Sequence, residues 1–277
     1  MDTTALLTIL AFTLAAIGGS WHYFRRYQVT RPPIGVLNLH DIALMIGAII
    51  AVPYLYLWLP PWLVVVLLTL GTWSLLALLF EPVLRVRLAV QGVSMALVTG
   101  NLAAAYLWGT AGRGYLLINN LILVLTVVSI TNLWAQSGLR ARDVTLLGAA
   151  LIGYDFVATA VLPLMDALFV RMMALPFGTQ IAWPAGAGLA GLGLGDLLLA
   201  AVFPLVMRKA FGAQAGWIAL ALAVSVLVGL FLLPITGTFP VMVVLGPAMI
   251  GQYLWWRYRT GGERTTWRYL QEEPVVG

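Results

Sequence analysis

Long apolar runs, separated by short links rich in Pro, Gly or Arg, dominate this 277-residue chain. A helix that crosses a bilayer needs about 20 predominantly apolar residues. Nine runs read as such spans: 4–21, 42–59, 62–80, 88–109, 115–134, 143–162, 188–206, 217–233 and 241–256. Hydrocarbon offers nothing to bond a backbone N–H or C=O, so runs of this length must be helical. The expectation is an all-α polytopic membrane protein of nine transmembrane helices in one bundle. A single domain would cover 1–277: helices one to six over about 4–162, a connection over 163–187, helices seven to nine over about 188–256, and a tail over 257–277. Only 9% of residues are charged, against about 25% in soluble domains. There is no cysteine, which excludes disulfides, thiolate metal sites and a cysteine nucleophile. The first run is not followed by a small-residue cleavage site, so it reads as a retained helix and not a signal peptide.

The net charge of +5 does not form a nucleic-acid patch, because the basic residues lie between apolar runs. Arg25, Arg26, Arg31, Arg85, Arg87, Arg140, Arg142, Arg208, Lys209, Arg257, Arg259, Arg264 and Arg268 fall on one side of a nine-span topology. Arg113 and Arg171 fall on the other. Basic residues concentrate on the cytoplasmic side. The expected placement is therefore an integral protein of the cell membrane, with the N-terminus outside and the C-terminus cytoplasmic. His22 and His40, both in the first connection, read as interfacial residues.

The connection 163–187 is itself apolar, "PLMDALFVRMMALPFGTQIAWPAGA". Pro176, Gly178 and Pro184 argue against a tenth straight span. Its first half, 163–175, reads as a short interfacial helix with Asp166 and Arg171 on its wetter side. Residues 179–183 read as extended and are expected to pair with a substrate strand.

Eight of the ten acids lie at span ends or in connections. The other two are Asp155 in the sixth span and Asp196 in the seventh. A carboxylate inside a span costs ~2.5–3.5 kcal/mol on insertion scales and marks function. The two spans are consecutive and antiparallel. Counting 1.5 Å per helical residue puts both acids ~11–12 Å below the same face. Neither span holds an Arg, Lys or His ahead of its cytoplasmic end. Two carboxyls at one depth can share a proton, one ionised and one neutral.

The local sequences sharpen this. Asp155 lies in "GYD" after Tyr154; Asp196 closes "GLGD", Gly193-Leu194-Gly195-Asp196; the ninth span carries "GPAM", Pro247-Ala248-Met249. YD, then GxGD one span later, then a PAL-like triplet two spans on, resembles the presenilin and signal peptide peptidase family of GxGD intramembrane aspartyl proteases. The resemblance extends over nearly the whole chain, with Met249 in place of the family's Leu. It implies Asp155 and Asp196 as the catalytic pair. Tyr154, Gly193, Leu194, Gly195, Pro247, Ala248 and Met249 would support the site or contact substrate. No metal or organic cofactor is implied. The implied partners are the lipid bilayer and transmembrane proteins or peptides, cleaved inside the membrane. No obligatory subunit is expected, because the connection 163–187 is short beside presenilin's long loop. The charge count matches the orientation of signal peptide peptidase, so substrate helices with cytoplasmic N-termini are expected.

Other chemistries lack their parts. There is no HExxH for zinc, and neither histidine lies in a span to serve a serine nucleophile. Prepilin peptidases share GxGD but not the preceding YD and following PAx. The rival from another class is a proton-coupled transporter using the same acids as a relay, which the Asn119-Asn120 pair of the fifth span leaves open.

Overall fold

The computed structural model of the chain describes residues 3–29, 39–162, 164–186, 188–233 and 239–264. Arg31, Pro163, Arg268 and the tail beyond Arg264 lie outside them. In chain order the elements are α1 (Thr3–Arg26), α2 (Leu39–Trp58), α3 (Pro61–Leu84), α4 (Arg87–Trp108), α5 (Arg113–Gln136) and α6 (Ala141–Phe156). A π-helical turn, Val157–Val161, prolongs α6. Then come α7 (Leu164–Met173), a hairpin of β1 (Gln180–Ala185) and β2 (Gly188–Gly193), α8 (Leu194–Phe211), α9 (Ala213–Leu232) and α10 (Met242–Thr260).

The helix boundaries follow local chemistry. Pro61 opens α3, at a position where the missing N–H costs nothing. At the start of α6, Asp143 accepts the backbone N–H of Arg140 at 3.1 Å in a capping box. Gly212, at φ 97°, turns the chain between α8 and α9.

The all-α architecture stands, with one small hairpin added. Among the described residues, seven helices are long and apolar enough to cross a membrane: α1 to α6, the last with its π turn, and α9. Two helices expected as spans do not reach that level. α8 carries Asp196, Arg208 and Lys209 within 18 residues. The second half of α10 is rich in Gln252, Tyr253, Arg257 and Arg259. The interior explains α8. It packs against α1, α5, α6, α9 and α10, and 12 of its residues are buried, so protein and not lipid receives its side chains. The outer helices instead expose large apolar side chains, among them Leu44, Trp62, Leu70, Leu88 and Leu107. Such a surface is a liability in water and suits lipid.

The seventh span needs correcting. Residues 188–193 are not helical; they form β2, paired antiparallel with β1 from Gln180↔Gly193 to Ala185↔Gly188. Three glycines in six residues weaken a helix by about 1 kcal/mol each, and the hairpin satisfies their backbone groups instead. The short helix expected over 163–175 is present as α7. Arg171 is not on a free wet side: its guanidinium donates to the carbonyls of Tyr56, at 2.9 Å, and Leu59, fastening α7 to the end of α2.

Candidate active site

Asp155 stands on the last turn of α6, where the helix loosens into the π turn. Single π turns inside helices recur at functional sites. Both carboxylate oxygens have donors. Oδ1 accepts the hydroxyl of Thr159 at 3.1 Å, and Oδ2 accepts the backbone N–H of Met242 at 3.0 Å. Met242 opens α10, so Asp155 satisfies one of the free first-turn N–H groups of another helix.

Asp196 is the third residue of α8. Gly193, the N-cap, is extended at φ −66° and ψ 148° and supplies no side-chain cap. The first N–H of the helix, that of Leu194, donates to Thr179 O at 3.0 Å, which ties α8 to the hairpin. A Cβ on Gly193 would lie 3.6 Å from Asp196 Oδ2, and one on Gly195 would meet nothing within 4 Å. The approach to Asp196 along Gly195 is therefore open. Asp155 and Asp196 stand on α6 and α8, which pack against each other. The helical-rise estimate of depth does not hold, because six of the eight residues counted before Asp196 are strand. Asp155 sits at the end of α6 and Asp196 at the start of α8. Tyr154, beside Asp155, is half-buried, and its hydroxyl is buried without a hydrogen-bond partner.

The third motif sits differently from the other two. α10 continues through Pro247, which is exposed, and Ala248 is half-buried. Met249 is fully buried, its Cε 3.6 Å from where a Cβ on Gly148 would stand. One residue before the motif, a Cβ on Gly246 would come 2.4 Å from Ile152 Cγ1. Gly148 and Gly246 thus let α6 and α10 approach closely, as small residues do between membrane helices. These residues set how α10 lies on α6. The group of α10 that touches an acid is the Met242 N–H, five residues before Pro247.

The hairpin gives the site its wall. Ala182 donates its N–H to Asn120 Oδ1 at 3.1 Å, and its carbonyl accepts Asn120 Nδ2 at 2.9 Å. Asn119 Nδ2 donates to Gly178 O at 3.0 Å, and Tyr115 Oη donates to Asn119 Oδ1 at 3.2 Å. The asparagine pair, which left a transporter open, is engaged in holding this loop. It also corrects the expectation for 179–183. A strand is there, but β2 covers one edge of it and Asn120 closes the other at Ala182. Strand polar groups alternate between edges. With Ala182 turned to Asn120, Ile181 faces β2, and Leu189, Gly191 and Gly193 of β2 turn outward. Gly191 is exposed, and a Cβ there would meet Ile181 O at 2.8 Å. The open edge belongs to β2 and leads straight into Asp196.

Comparison with protein-family models, with curated proteins and with solved structures gave no match. The functional reading therefore stands on the geometry and on the motifs. The two acids come from neighbouring helices, one with both oxygens bonded and one beside an open glycine. Thr159, Met242 and Asn120 are additions that the motifs do not reveal. A Thr four residues after an acid on one helix was the single readable hint.

Proposed function

We propose that this chain is an intramembrane aspartyl endopeptidase with nine transmembrane helices, hydrolysing peptide bonds within transmembrane segments of other proteins. The observation that supports the reading is the presence of Asp155 at the end of α6 and of Asp196 at the start of α8, two packed helices, beside an unpaired strand edge. The ionised carboxyl takes a proton from a water, and the resulting hydroxide adds to the scissile carbonyl carbon. The neutral carboxyl donates its hydrogen bond to the carbonyl oxygen and stabilises the charge that develops there. Collapse of the tetrahedral intermediate passes a proton to the leaving nitrogen, and the pair returns to one shared proton.

A substrate helix hides its peptide bonds in its own hydrogen bonds and must unwind to be cut. Leu189 and Gly191 offer outward N–H and C=O groups, and Gly193 its N–H, to an unwound segment, which would join as a third strand. Gly193 and Gly195 then let that backbone pass close to Asp196. The charge distribution gives a cytoplasmic C-terminus, an external hairpin, and substrates with cytoplasmic N-termini.

The deciding experiment incubates purified protein in detergent with a labelled transmembrane peptide. Cleavage blocked by a transition-state aspartyl inhibitor is the expected result. Proton-coupled solute uptake without cleavage would replace this reading with the transporter. Orientation is read separately, by an impermeant thiol reagent on intact cells. A cysteine at Thr4 should be labelled and one at Gly277 spared; the reverse pattern inverts the topology.

A further inference from the structure

Gln180 opens β1 at the edge of the site. It is 8% exposed, and its side-chain Oε1 is buried with no hydrogen-bond partner. Such orphaned acceptors are uncommon in folded proteins and call for an explanation. In the ladder Gln180 stands directly opposite Gly193. Directly opposed residues of an antiparallel pair project to the same face, with Cβ positions ~5 Å apart. On that face, Asp196 Oδ2 lies 3.6 Å from the position a Gly193 Cβ would take. The missing side chain of Gly193 thus leaves a space beside the Asp196 carboxyl, on the face from which the Gln180 side chain rises.

The chemistry of these two groups is complementary in one protonation state. A carboxamide oxygen accepts and does not donate; an ionised carboxylate does the same, but a protonated carboxyl donates. Oε1 of Gln180 finds its donor when Asp196 is neutral. Asp155 is built for the opposite state. Both its oxygens receive donors, from Thr159 and Met242, and hydrogen bonds to a carboxylate favour its charged form. α6, which packs against α8, carries Asp155. β1, β2 and α9 carry no charged residue, and α10 presents its Met242 N–H to Asp155.

We propose that Gln180 is a positioning residue that holds the shared proton on Asp196, its carboxamide oxygen accepting the hydrogen bond of the neutral carboxyl and leaving Asp155 ionised. This gives the two acids separate duties: Asp155 activates water, and Asp196 faces the carbonyl of a segment lying along β2. The duties rest on the protease reading, whereas the location of the proton does not.

Infrared spectroscopy of the purified full-length protein at neutral pH tests the location directly. The stretch of a protonated carboxyl should be present in the wild type and in Asp155→Asn, and absent in Asp196→Asn. Gln180→Leu should move that band to higher frequency or remove it; Gln180→Met serves if the Leu variant does not fold. A band lost in Asp155→Asn but kept in Asp196→Asn overturns the proposal, as does a band unmoved by the Gln180 replacements. The kinetic arm uses the peptide assay. Gln180→Leu should lower kcat roughly tenfold, the size of a weakened acid–base contribution. KM should change little, and the basic limb of the pH profile should move to lower pH. A loss of kcat and KM together with an unmoved limb would mean a merely structural Gln180 and defeat the proposal. A wild type that cleaves nothing while the infrared pattern holds would defeat the protease reading and leave the proton on Asp196.

Discussion

The two ends of the helix bundle are built on opposite principles. At the basic end, helix termini are fastened to one another. Lys209, 3% exposed, donates through Nζ to Ala135 O and Leu139 O, each at 2.6 Å. Glu263 accepts the N–H of Arg142 and the hydroxyl of Tyr253. Arg264 donates to Ala210 O and Arg208 O, and the Arg208 guanidinium lies over Trp21 at 5.5 Å. At the acid end, regular structure gives way. α6 loosens into its π turn, and the hairpin leaves an edge open. Irregular backbone at membrane depth is tolerated where it lines a cavity or is buried in protein. On the proposed reading, stability is concentrated at one end and chemistry at the other.

Five substitutions test this division, the largest effect first. Asp155→Asn and Asp196→Asn should each abolish cleavage in the peptide assay. The thermal unfolding of each variant in detergent should remain near that of the wild type, because the replacements are near-isosteric. A turnover close to wild type in either would end the two-acid mechanism. Lys209→Met should do the reverse. Two buried carbonyls lose their charged donor, a loss of about 2–5 kcal/mol. Thermal unfolding should fall markedly while cleavage well below the transition persists. If cleavage disappears first, the two ends are not separable. Asn120→Leu should lie between them, freeing the outer edge of β1 for about 1–3 kcal/mol and loosening the wall beside Asp196. Its expected signature is a greater loss of cleavage than of thermal stability; equal losses would give the hairpin no special part in the chemistry. The smallest effect is expected for Met249→Leu, a volume-conserving change in a packed contact worth less than about 1.5 kcal/mol. Cleavage should stay near wild type, and a large loss would mean that Met249 does more than pack α10 on Gly148.

Much of this division is legible in the chain. Apolar runs and their basic links mark the helices, and acids inside apolar runs mark the site, because a carboxylate in hydrocarbon needs a reason. The hairpin is less legible. Residues 188–193, "GLAGLG", are apolar enough to pass for the start of a span, and hydropathy cannot distinguish a buried strand from a helix. Their glycine content was the available clue. The partners of Asp155 were illegible for a different reason. Met242 offers a backbone N–H, which every residue but proline possesses, so only the placement of α10 reveals it. The same holds for Asn119 and Asn120, whose type fits a water path as well as it fits a clasp on the loop. Lys209 is counted among charges facing water, yet its buried contacts depend on where α5 ends.

The fastening of the hairpin has a mechanical consequence. Asn120 clamps β1 to α5, Thr179 holds the start of α8, and Lys209 joins the far end of α8 to the far end of α5. The hairpin, α5 and α8 thus make one plate, which carries Asp196. The second plate is α6 with α10, keyed by Gly148, Gly246 and the Met242 N–H, and it carries Asp155. The two carboxyls lie on opposite banks of the seam between these plates. Arg264 ties the two plates together at the basic end, so a tilt about that tie would change the spacing of the acids while keeping the bonds inside either plate.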